Sequence, residues 1–206
     1  MELFSSPDCA SAQRVRIALR LKRIPYVNRP MAALQEELGE TQLFSLGVAP
    51  GSRGPVLMDQ QRVLTQSLAI IEYLDELYQH PLLIPVSARD RARVHAMAEV
   101  VANEAQSLTE PPVLDYLRKE GAFDEVRVQG WNHHWLGRGL NHLERMLRGN
   151  PATGRYCHGD SPTFADLFLV PLVAAAEAQG LDLTPYPTVA AIYRQCLTLP
   201  AFADPA

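Results

Sequence analysis

The character of the sequence changes near residue 82, and this change limits the possible folds more than any other feature. Up to residue 81, short apolar runs alternate with helical patterns in the order strand, helix, strand, helix, strand, strand, helix. After a linker around Pro85, every pattern is helical, over residues 88–118, 123–148, 163–179 and 188–197. The sequence therefore predicts an α+β chain with a βαβαββα domain in residues 1–81 and an all-helical domain in residues 87–206.

The first domain is expected to build a small sheet from four short strands. The predicted strands are Leu3-Phe4, residues 24–27, residues 56–58 and residues 62–64. Val15, Ala18 and Leu19 have the i, i+3, i+4 spacing of a first helix, and residues 31–46 indicate one irregular helix.

Charge and hydropathy argue against two classes of partner. The 206 residues carry a formal net charge of −4 with both signs interspersed, so no basic surface for nucleic acid is expected. The apolar stretch Leu167–Ala176 is too short to cross a bilayer, and no basic-then-apolar leader follows Met1.

Three widely separated cysteines do not fit a secreted disulfide framework and favour a reducing cytoplasm.

Cys9 stands one turn before the first helical pattern, with Arg14 and Arg16 close behind it. A helix N-terminus stabilises a thiolate through its unpaired N–H groups and the positive end of its dipole. A thiol directly after the first strand of a βαβ unit resembles the thioredoxin arrangement, but Ala12 stands where that arrangement has its second cysteine. A disulfide formed by Cys9 would therefore need an external thiol to release it, and glutathione fits that requirement.

Two alternatives stay open at this helix start. The structural alternative for Cys9 is a small buried apolar residue, which is the common fate of a free cysteine, but a helix start in an α/β unit favours an activated thiol. Ser11 is a second candidate, because its hydroxyl can either cap the helix or donate a hydrogen bond to a bound thiolate. Both Cys9 and Ser11 are therefore candidate catalytic residues.

A second group of candidates lies in the loop and helix start farther along the first domain. Residues 49–55 form a loop by composition, and Pro55 enters the third strand, where it suits a turn, an edge or a cis bond. Thr65, Gln66 and Ser67 precede a third helix and offer N–H groups and a hydroxyl to a carboxylate. An ordinary helix cap has the same sequence signature, so these residues alone do not specify a site.

The whole chain nevertheless resembles the glutathione transferase superfamily. The similar segments are RVRIAL (14–19), LTQSLAIIEYLDE (64–76), GRYCHGDSPTFADLFLVPLV (154–173) and LDLTPYP (181–187). The last three resemble the zeta class, which includes maleylacetoacetate and maleylpyruvate isomerases. The resemblance implies a thioredoxin-like glutathione-binding domain, a helical domain with a hydrophobic substrate site, and a homodimer.

The resemblance also implies roles for individual residues. Pro55 matches the family's cis-proline, and the backbone of Gly54 is expected to pair with the cysteinyl unit of glutathione. Gln66 and Ser67 match the pair that holds the γ-glutamyl end. The segment Thr163–Asp166 matches a capping box, whose role is to nucleate a helix.

One departure from the zeta pattern concerns the reacting group. Zeta enzymes have a serine-rich stretch where this chain reads Cys9-Ala10-Ser11-Ala12, so Cys9 takes the position of the first serine. This run resembles instead the omega class, whose cysteine forms mixed disulfides with glutathione. The departure favours thiol–disulfide exchange at Cys9.

A second departure concerns the charge of the substrate. Asp8, Ala178 and the Pro111-Pro112 pair stand where zeta isomerases offer basic side chains to a dicarboxylate. The loss of one buried charged partner costs about 2–5 kcal/mol of binding. The sequence therefore argues against a dianionic substrate, unless Arg53 or Arg118 compensates.

Several other residues allow a functional or a structural interpretation. His133 and His134 lack the i, i+4 partner typical of helical metal ligands, so no metal site is expected. Tyr116, Met97 and Leu117 either line a hydrophobic substrate pocket or form a helix–helix contact. Cys157 and Cys196 lie in apolar contexts and are expected to be inert.

The sequence thus predicts a zeta-like glutathione transferase. The enzyme would activate the glutathione thiol, or form a mixed disulfide at Cys9, for conjugation or thiol transfer to a small electrophile. Two alternatives remain: a glutathione-dependent cis–trans isomerase of maleylacetoacetate or maleylpyruvate, and a non-catalytic binding protein of the same fold.

Overall fold

The computed structural model describes residues 1–49 and 51–203. The chain divides into two compact units, Met1–Leu83 and Ile84–Ala203. Pro50 in the predicted loop and residues 204–206 at the end of the predicted second domain lie outside the described residues.

The first unit contains the predicted mixture of strands and helices. Its elements are β1 (Glu2–Phe4), α1 (Ala10–Leu21), β2 (Val27–Arg29), α2 (Met31–Ser45), β3 (Val56–Asp59), β4 (Arg62–Thr65) and α3 (Ser67–Leu77). Their order is the predicted βαβαββα. Within the described residues the strands form a four-stranded sheet in the order β2-β1-β3-β4.

The register of the sheet follows from its connections. β1 runs parallel to β2, which requires the crossover through α1, whereas β1–β3 and β3–β4 are antiparallel. Leu3 and Leu57, which face each other across β1 and β3, are both fully buried. The sheet therefore holds the end of β1 and the start of β3 side by side, and the candidate residues of the site follow or precede these two strands.

The second strand lies later than predicted. The apolar residues 24–27 predicted it, but Ile24 donates its N–H to Leu19 at the end of α1 and packs into the core with 6% exposure. Pairing with β1 begins only at Val27, which lies opposite Glu2. Ile24 thus belongs to the helix exit, where an apolar residue and a strand residue look alike in sequence.

The irregular helix predicted over residues 31–46 is confirmed as α2 with a break inside it. Gly39 has φ +72° and ψ 160°, which interrupts the helical backbone. A glycine tolerates this conformation, whereas a residue with a side chain rarely adopts it.

The second unit is built from helices. They are α4 (Ala88–Val101), a π-helical turn (Ala102–Gln106), α5 (Ser107–Thr109), α6 (Pro111–Lys119), α7 (Glu125–Leu147), α8 (Phe164–Ala178), α9 (Pro187–Leu197) and α10 (Pro200–Ala203). The single helix predicted over residues 88–118 is therefore broken. The break lies at Glu110, whose backbone is extended (ψ 144°) directly before Pro111, whereas the helical backbone continues through the π-turn.

Helix α8 forms the centre of the second unit. Eleven of its 15 residues are buried, and its first turn carries the predicted capping box of Thr163 and Asp166. None of the helices in the described part of the chain is long and apolar enough to span a membrane.

Candidate active site

One cleft in the first unit collects most of the predicted site residues. It has a volume of about 150 Å³ and is lined by the start of α1, the loop before β3 and the start of α3. Ser11, Gly54, Pro55, Gln66 and Ser67 all line it, with Ser52 and Thr65. The sequence separates these residues by up to 56 positions, and the sheet and the α1–α3 packing bring them together.

Two helices begin at this cleft. Within the described residues, the N-cap side chains of α1 and α3, Cys9 and Gln66, accept no hydrogen bond from the first turn of their helices. The N–H groups of these first turns are therefore not capped by their own N-cap side chains, and the positive ends of both dipoles face the cleft. Such a place favours a thiolate or a carboxylate.

Cys9 is not among the described residues that line the cleft. It is 4% exposed, and its thiol donates a hydrogen bond to the Gly54 carbonyl oxygen over 3.5 Å. A thiol that donates a hydrogen bond is in its protonated form, which is less nucleophilic than a thiolate. The placement fits a small buried residue better than an open nucleophile, and a catalytic role for Cys9 stays a prediction.

Ser11 is half-buried and lies in the first turn of α1, on the cleft wall. A hydroxyl at this position can donate to a sulfur held at the helix start. Of the two candidates for contact with a bound sulfur, the geometry therefore favours Ser11.

Gly54 is required by its surroundings. Its φ is +89°, and a Cβ there would lie 2.6 Å from the Phe4 carbonyl oxygen and 2.9 Å from the Ser5 Cα. Its N–H donates to Ser52 Oγ over 3.2 Å, and the following peptide bond to Pro55 is cis, as the resemblance implies. The backbone expected to pair with glutathione is thus engaged internally, by Ser52 at the N–H and by Cys9 at the carbonyl.

Gln66 and Ser67 form the opposite side of the cleft. Gln66 is exposed and has φ +69°, a conformation that costs a residue with a side chain about 1–3 kcal/mol and is typical of functional positions. Ser67 is 5% exposed, and its Oγ accepts a hydrogen bond from Arg14 Nη1 over 3.2 Å.

The charges nearest the start of α1 pair with each other. Asp8 and Arg53 form an ion pair, in which the Asp8 side chain is 78% and the Arg53 side chain 25% exposed. The hydrogen bond from Arg53 lowers the pKa of Asp8, so the carboxylate stays ionised. Arg118, the other arginine considered as a compensating cation, pairs with Glu125 and Asp115 on the helical unit.

The remaining candidates separate into buried and exposed residues. Met97 is 1% exposed and belongs to the core of the helical unit, which favours a helix–helix contact over a substrate pocket. Tyr116 is 66% exposed on α6. His133 Nε2 bonds the Gln179 carbonyl oxygen, and the described residues contain no group of three or more His, Cys, Asp or Glu side chains arranged to hold a metal. Burial raises the pKa of Cys157 and Cys196, which are both fully buried.

Two contacts of the site were missed in the sequence. Ser52, in the loop before Gly54, accepts a hydrogen bond from the Gly54 N–H, and Arg14 donates a hydrogen bond to Ser67. Ile17 and Ala18 follow Arg14 at the i+3 and i+4 spacing of a buried helix face. A charged residue on an apolar face was therefore the sequence signal that could have pointed to a buried contact of Arg14.

Each of the two units matches a known protein family. The family model for the N-terminal domain of glutathione S-transferases matches residues 3–82, and that for the C-terminal domain matches residues 129–195. The chain is 38% identical to a maleylpyruvate isomerase from a Ralstonia species over 202 residues, which are 98% of this chain and 94% of that protein.

The chain belongs to the glutathione S-transferase family. Its fold class is thereby confirmed, as is the resemblance to the zeta class. A holo structure of a maleylpyruvate isomerase, a bacterial glutathione S-transferase in the zeta class, superposes with a TM-score of 0.90 at 37% identity, covering 100% of this chain and 96% of that one. A maleylacetoacetate isomerase from Methylobacterium extorquens with bound malonate and glutathione gives a TM-score of 0.89 at 33% identity, covering 98% and 94%.

Proposed function

We propose that the protein is a glutathione-dependent cis–trans isomerase of a maleyl-type keto acid, such as maleylpyruvate or maleylacetoacetate. The observation that carries the proposal is the 38% identity to a maleylpyruvate isomerase across 98% of the chain. The cleft adds physical support, because it is uncharged along its described walls and lies where two helices begin.

In this proposal glutathione lies along the cleft with its γ-glutamyl end at Gln66 and Ser67. Its sulfur lies at the start of α1, where first-turn N–H groups and the helix dipole favour the thiolate and Ser11 donates to it. The same polar groups also suit a carboxylate, which the γ-glutamyl end supplies at α3.

The reaction is an addition followed by its reversal. The thiolate forms a C–S bond to one carbon of the cis double bond, and the electron pair of that double bond moves into the conjugated carbonyl as an enolate. The former double bond is now single and rotates. The enolate then collapses, the C–S bond breaks, the trans double bond forms, and the thiolate is released without net oxidation or reduction.

The broader transferase hypothesis receives less support than this alternative. General conjugation rests on the superfamily alone, whereas the relatives reported above are named isomerases. A Cys9 mixed disulfide is disfavoured by the 4% exposure of Cys9 and by the hydrogen bond of its thiol to Gly54. A non-catalytic binding protein has no specific observation in its favour.

Turnover of the two maleyl substrates tests the proposal. Purified protein with added glutathione should convert maleylpyruvate or maleylacetoacetate to the trans isomer, and omission of glutathione should abolish conversion. Ser67→Ala should raise the glutathione KM, whereas the matched variant Ser45→Ala, at an exposed serine ending α2, should not.

Each failure has a distinct meaning. Glutathione binding without turnover of either substrate would reject the isomerase in favour of a transferase. A covalent glutathione adduct that Cys9→Ala removes, seen by mass spectrometry after oxidised glutathione, would restore the mixed-disulfide hypothesis. No binding of glutathione at all would leave a binding protein that uses the fold for another ligand.

We further propose a homodimer in a reducing compartment, as the resemblance implies. All three cysteines are free thiols, which supports the compartment. Leu77, Tyr78 and Leu82, at and beyond the end of α3, are 40–53% exposed and offer an apolar surface for a second copy. Light scattering during gel filtration measures the mass of the particle, and a value near 22.9 kDa would reject the dimer.

A further inference from the structure

A buried arginine lies directly behind the γ-glutamyl side of the cleft. Arg14 is 3% exposed, and its Nη1 donates to Ser67 Oγ over 3.2 Å. A fully charged guanidinium is costly to bury, because the charge loses its hydration and needs compensating partners.

The contact fixes the polarity of the Ser67 hydroxyl. A guanidinium has five N–H donors and no acceptor, so Ser67 Oγ must be the acceptor in this pair. The hydroxyl therefore keeps its own proton for a second partner. Because Ser67 lines the cleft, that partner is a cleft ligand that accepts hydrogen bonds.

The charge of Arg14 acts in the same direction. The Arg14 guanidinium contacts the side chain of Ser67, which is the first residue of α3. The positive end of the α3 dipole faces the cleft at the same point. A hydrogen bond from a polarised hydroxyl to an anion is stronger than one between neutral groups. Arg14 and the helix start together therefore select for negative charge.

We propose that Arg14 is a positioning residue, which holds Ser67 as a hydrogen-bond donor toward the α-carboxylate of the γ-glutamyl end. This inference rests on the proposed function, because it assumes that glutathione occupies the cleft. It gives a role in binding to Arg14, which is not among the described residues that line the cleft.

The chain offers a matched control on the same helix. Arg16 is also 3% exposed, and its Nη1 donates to a serine hydroxyl over 3.2 Å, but that serine is Ser5. Its Nη2 donates to the Pro7 carbonyl oxygen over 2.8 Å. Arg16 therefore anchors the turn before α1, and its loss tests the cost of removing a buried arginine without touching Ser67.

The experiment compares two ligands by calorimetry. One is glutathione, and the other is 4-aminobutanoyl-cysteinyl-glycine, which is glutathione without the α-carboxylate. The readout is the ratio of their dissociation constants, which a general loss of stability does not change. The variants are Arg14→Met, Arg14→Lys, Arg16→Met, Ser67→Ala and the double variant of Arg14→Met with Ser67→Ala.

We expect the wild type to prefer glutathione by about 10- to 100-fold, the range of hydrogen bonds to charged groups. Arg14→Met and Ser67→Ala should each lose most of this preference, and the double variant should lose no more than either alone. Arg14→Lys, which keeps the charge but replaces the planar guanidinium by a single ammonium nitrogen, should retain part of it. Arg16→Met should keep the wild-type ratio.

The outcomes separate this inference from the proposed function. A wild type that binds neither ligand rejects the function and the inference together. A wild type that prefers glutathione, with the preference unchanged in Arg14→Met, overturns the inference and leaves the function intact. If Arg14→Met does not fold, Arg14→Lys decides: a ratio equal to the wild type in that variant, with loss in Ser67→Ala, assigns the preference to Ser67 alone.

Discussion

Helices begin in two different ways in this protein. At the start of α8, the Asp166 carboxylate accepts hydrogen bonds from the Thr163 N–H and hydroxyl and from the Cys157 N–H, all at 2.7–3.0 Å. At the starts of α1 and α3, the N-cap residues Cys9 and Gln66 give no such side-chain cap within the described residues. In the first arrangement the chain's own carboxylate binds the helix start, and under the proposed function glutathione would bind at the second.

The difference separates stability from function along one chain. Side-chain caps stabilise a helix by about 0.5–2 kcal/mol each, and α1 and α3 forgo that stabilisation. The starts of α1 and α3 both lie at the cleft, whereas the start of α8 lies in the buried core of the helical unit. Substitutions at the two kinds of helix start should therefore have opposite consequences for stability and for binding.

The largest effect on stability is expected from Asp166→Ala. It removes the acceptor of four hydrogen bonds inside the core, the three named above and one from the Cys196 thiol. Each buried donor left unpaired costs about 1–3 kcal/mol. Urea denaturation should show the free energy of unfolding reduced by about 3–5 kcal/mol.

The matched variant is Asp182→Ala, whose exposed carboxylate bonds only the N–H and hydroxyl of Thr184 among the described residues. Its effect should stay below about 1 kcal/mol. Equal losses in the two variants would contradict the contrast between buried and exposed caps.

Ser11→Ala should have the largest effect on catalysis with almost none on stability. The variant removes a donor to the thiolate, and loss of one anion-stabilising donor typically lowers kcat by about 100- to 1000-fold. Cys9→Ala is the comparison, because it removes the sulfur beside Gly54 without changing the cleft wall. Steady-state kinetics with a maleyl substrate should show the loss only in Ser11→Ala, and the reverse order would assign the reaction to Cys9.

Gln66→Gly should preserve or raise stability while it lowers the affinity for glutathione. Its φ of +69° is strained for glutamine and relaxed for glycine, so the variant should be as stable as the wild type or gain up to about 1 kcal/mol. Its glutathione affinity should fall, because the amide at the cleft is lost. Thermal melts and calorimetry on the same sample measure both, and a destabilised variant would contradict the strain.

The smallest effect is expected from Asp8→Asn. The substitution removes the negative partner of Arg53 and leaves the guanidinium to attract an anionic substrate. For an exposed pair this is worth at most about 1 kcal/mol, so kcat/KM for a dianionic maleyl acid should rise by about two- to fivefold. With a neutral electrophile, kcat/KM should not change. Equal changes for the neutral and the dianionic substrate would contradict the role of charge.

Much of this contrast was visible in the sequence. The capping box at Thr163–Asp166 and the roles of Gln66 and Ser67 were predicted from the resemblance of whole segments to a known family. The order of strands and helices was predicted from local patterns of a few residues. Local patterns suffice for these features because spacing and residue type decide them within one or two turns.

The parts that depend on contacts across the chain were not visible. Whether Cys9 or Ser11 lines the cleft depends on the Gly54 carbonyl, 45 residues from Cys9. The contact from Arg14 to Ser67 spans 53 residues. The π-turn inside the predicted helix has no signature in the local sequence, whereas the break at Glu110 coincides with the Pro111-Pro112 pair.

A diffraction experiment on crystals grown with glutathione tests the central contrast directly. The uncapped starts of α1 and α3 should hold the tripeptide, with its sulfur nearer Ser11 Oγ than Cys9 Sγ and its γ-glutamyl carboxylate within hydrogen-bond distance of Ser67 Oγ. Glutathione bound elsewhere, or the cleft empty at saturating glutathione, would contradict the account.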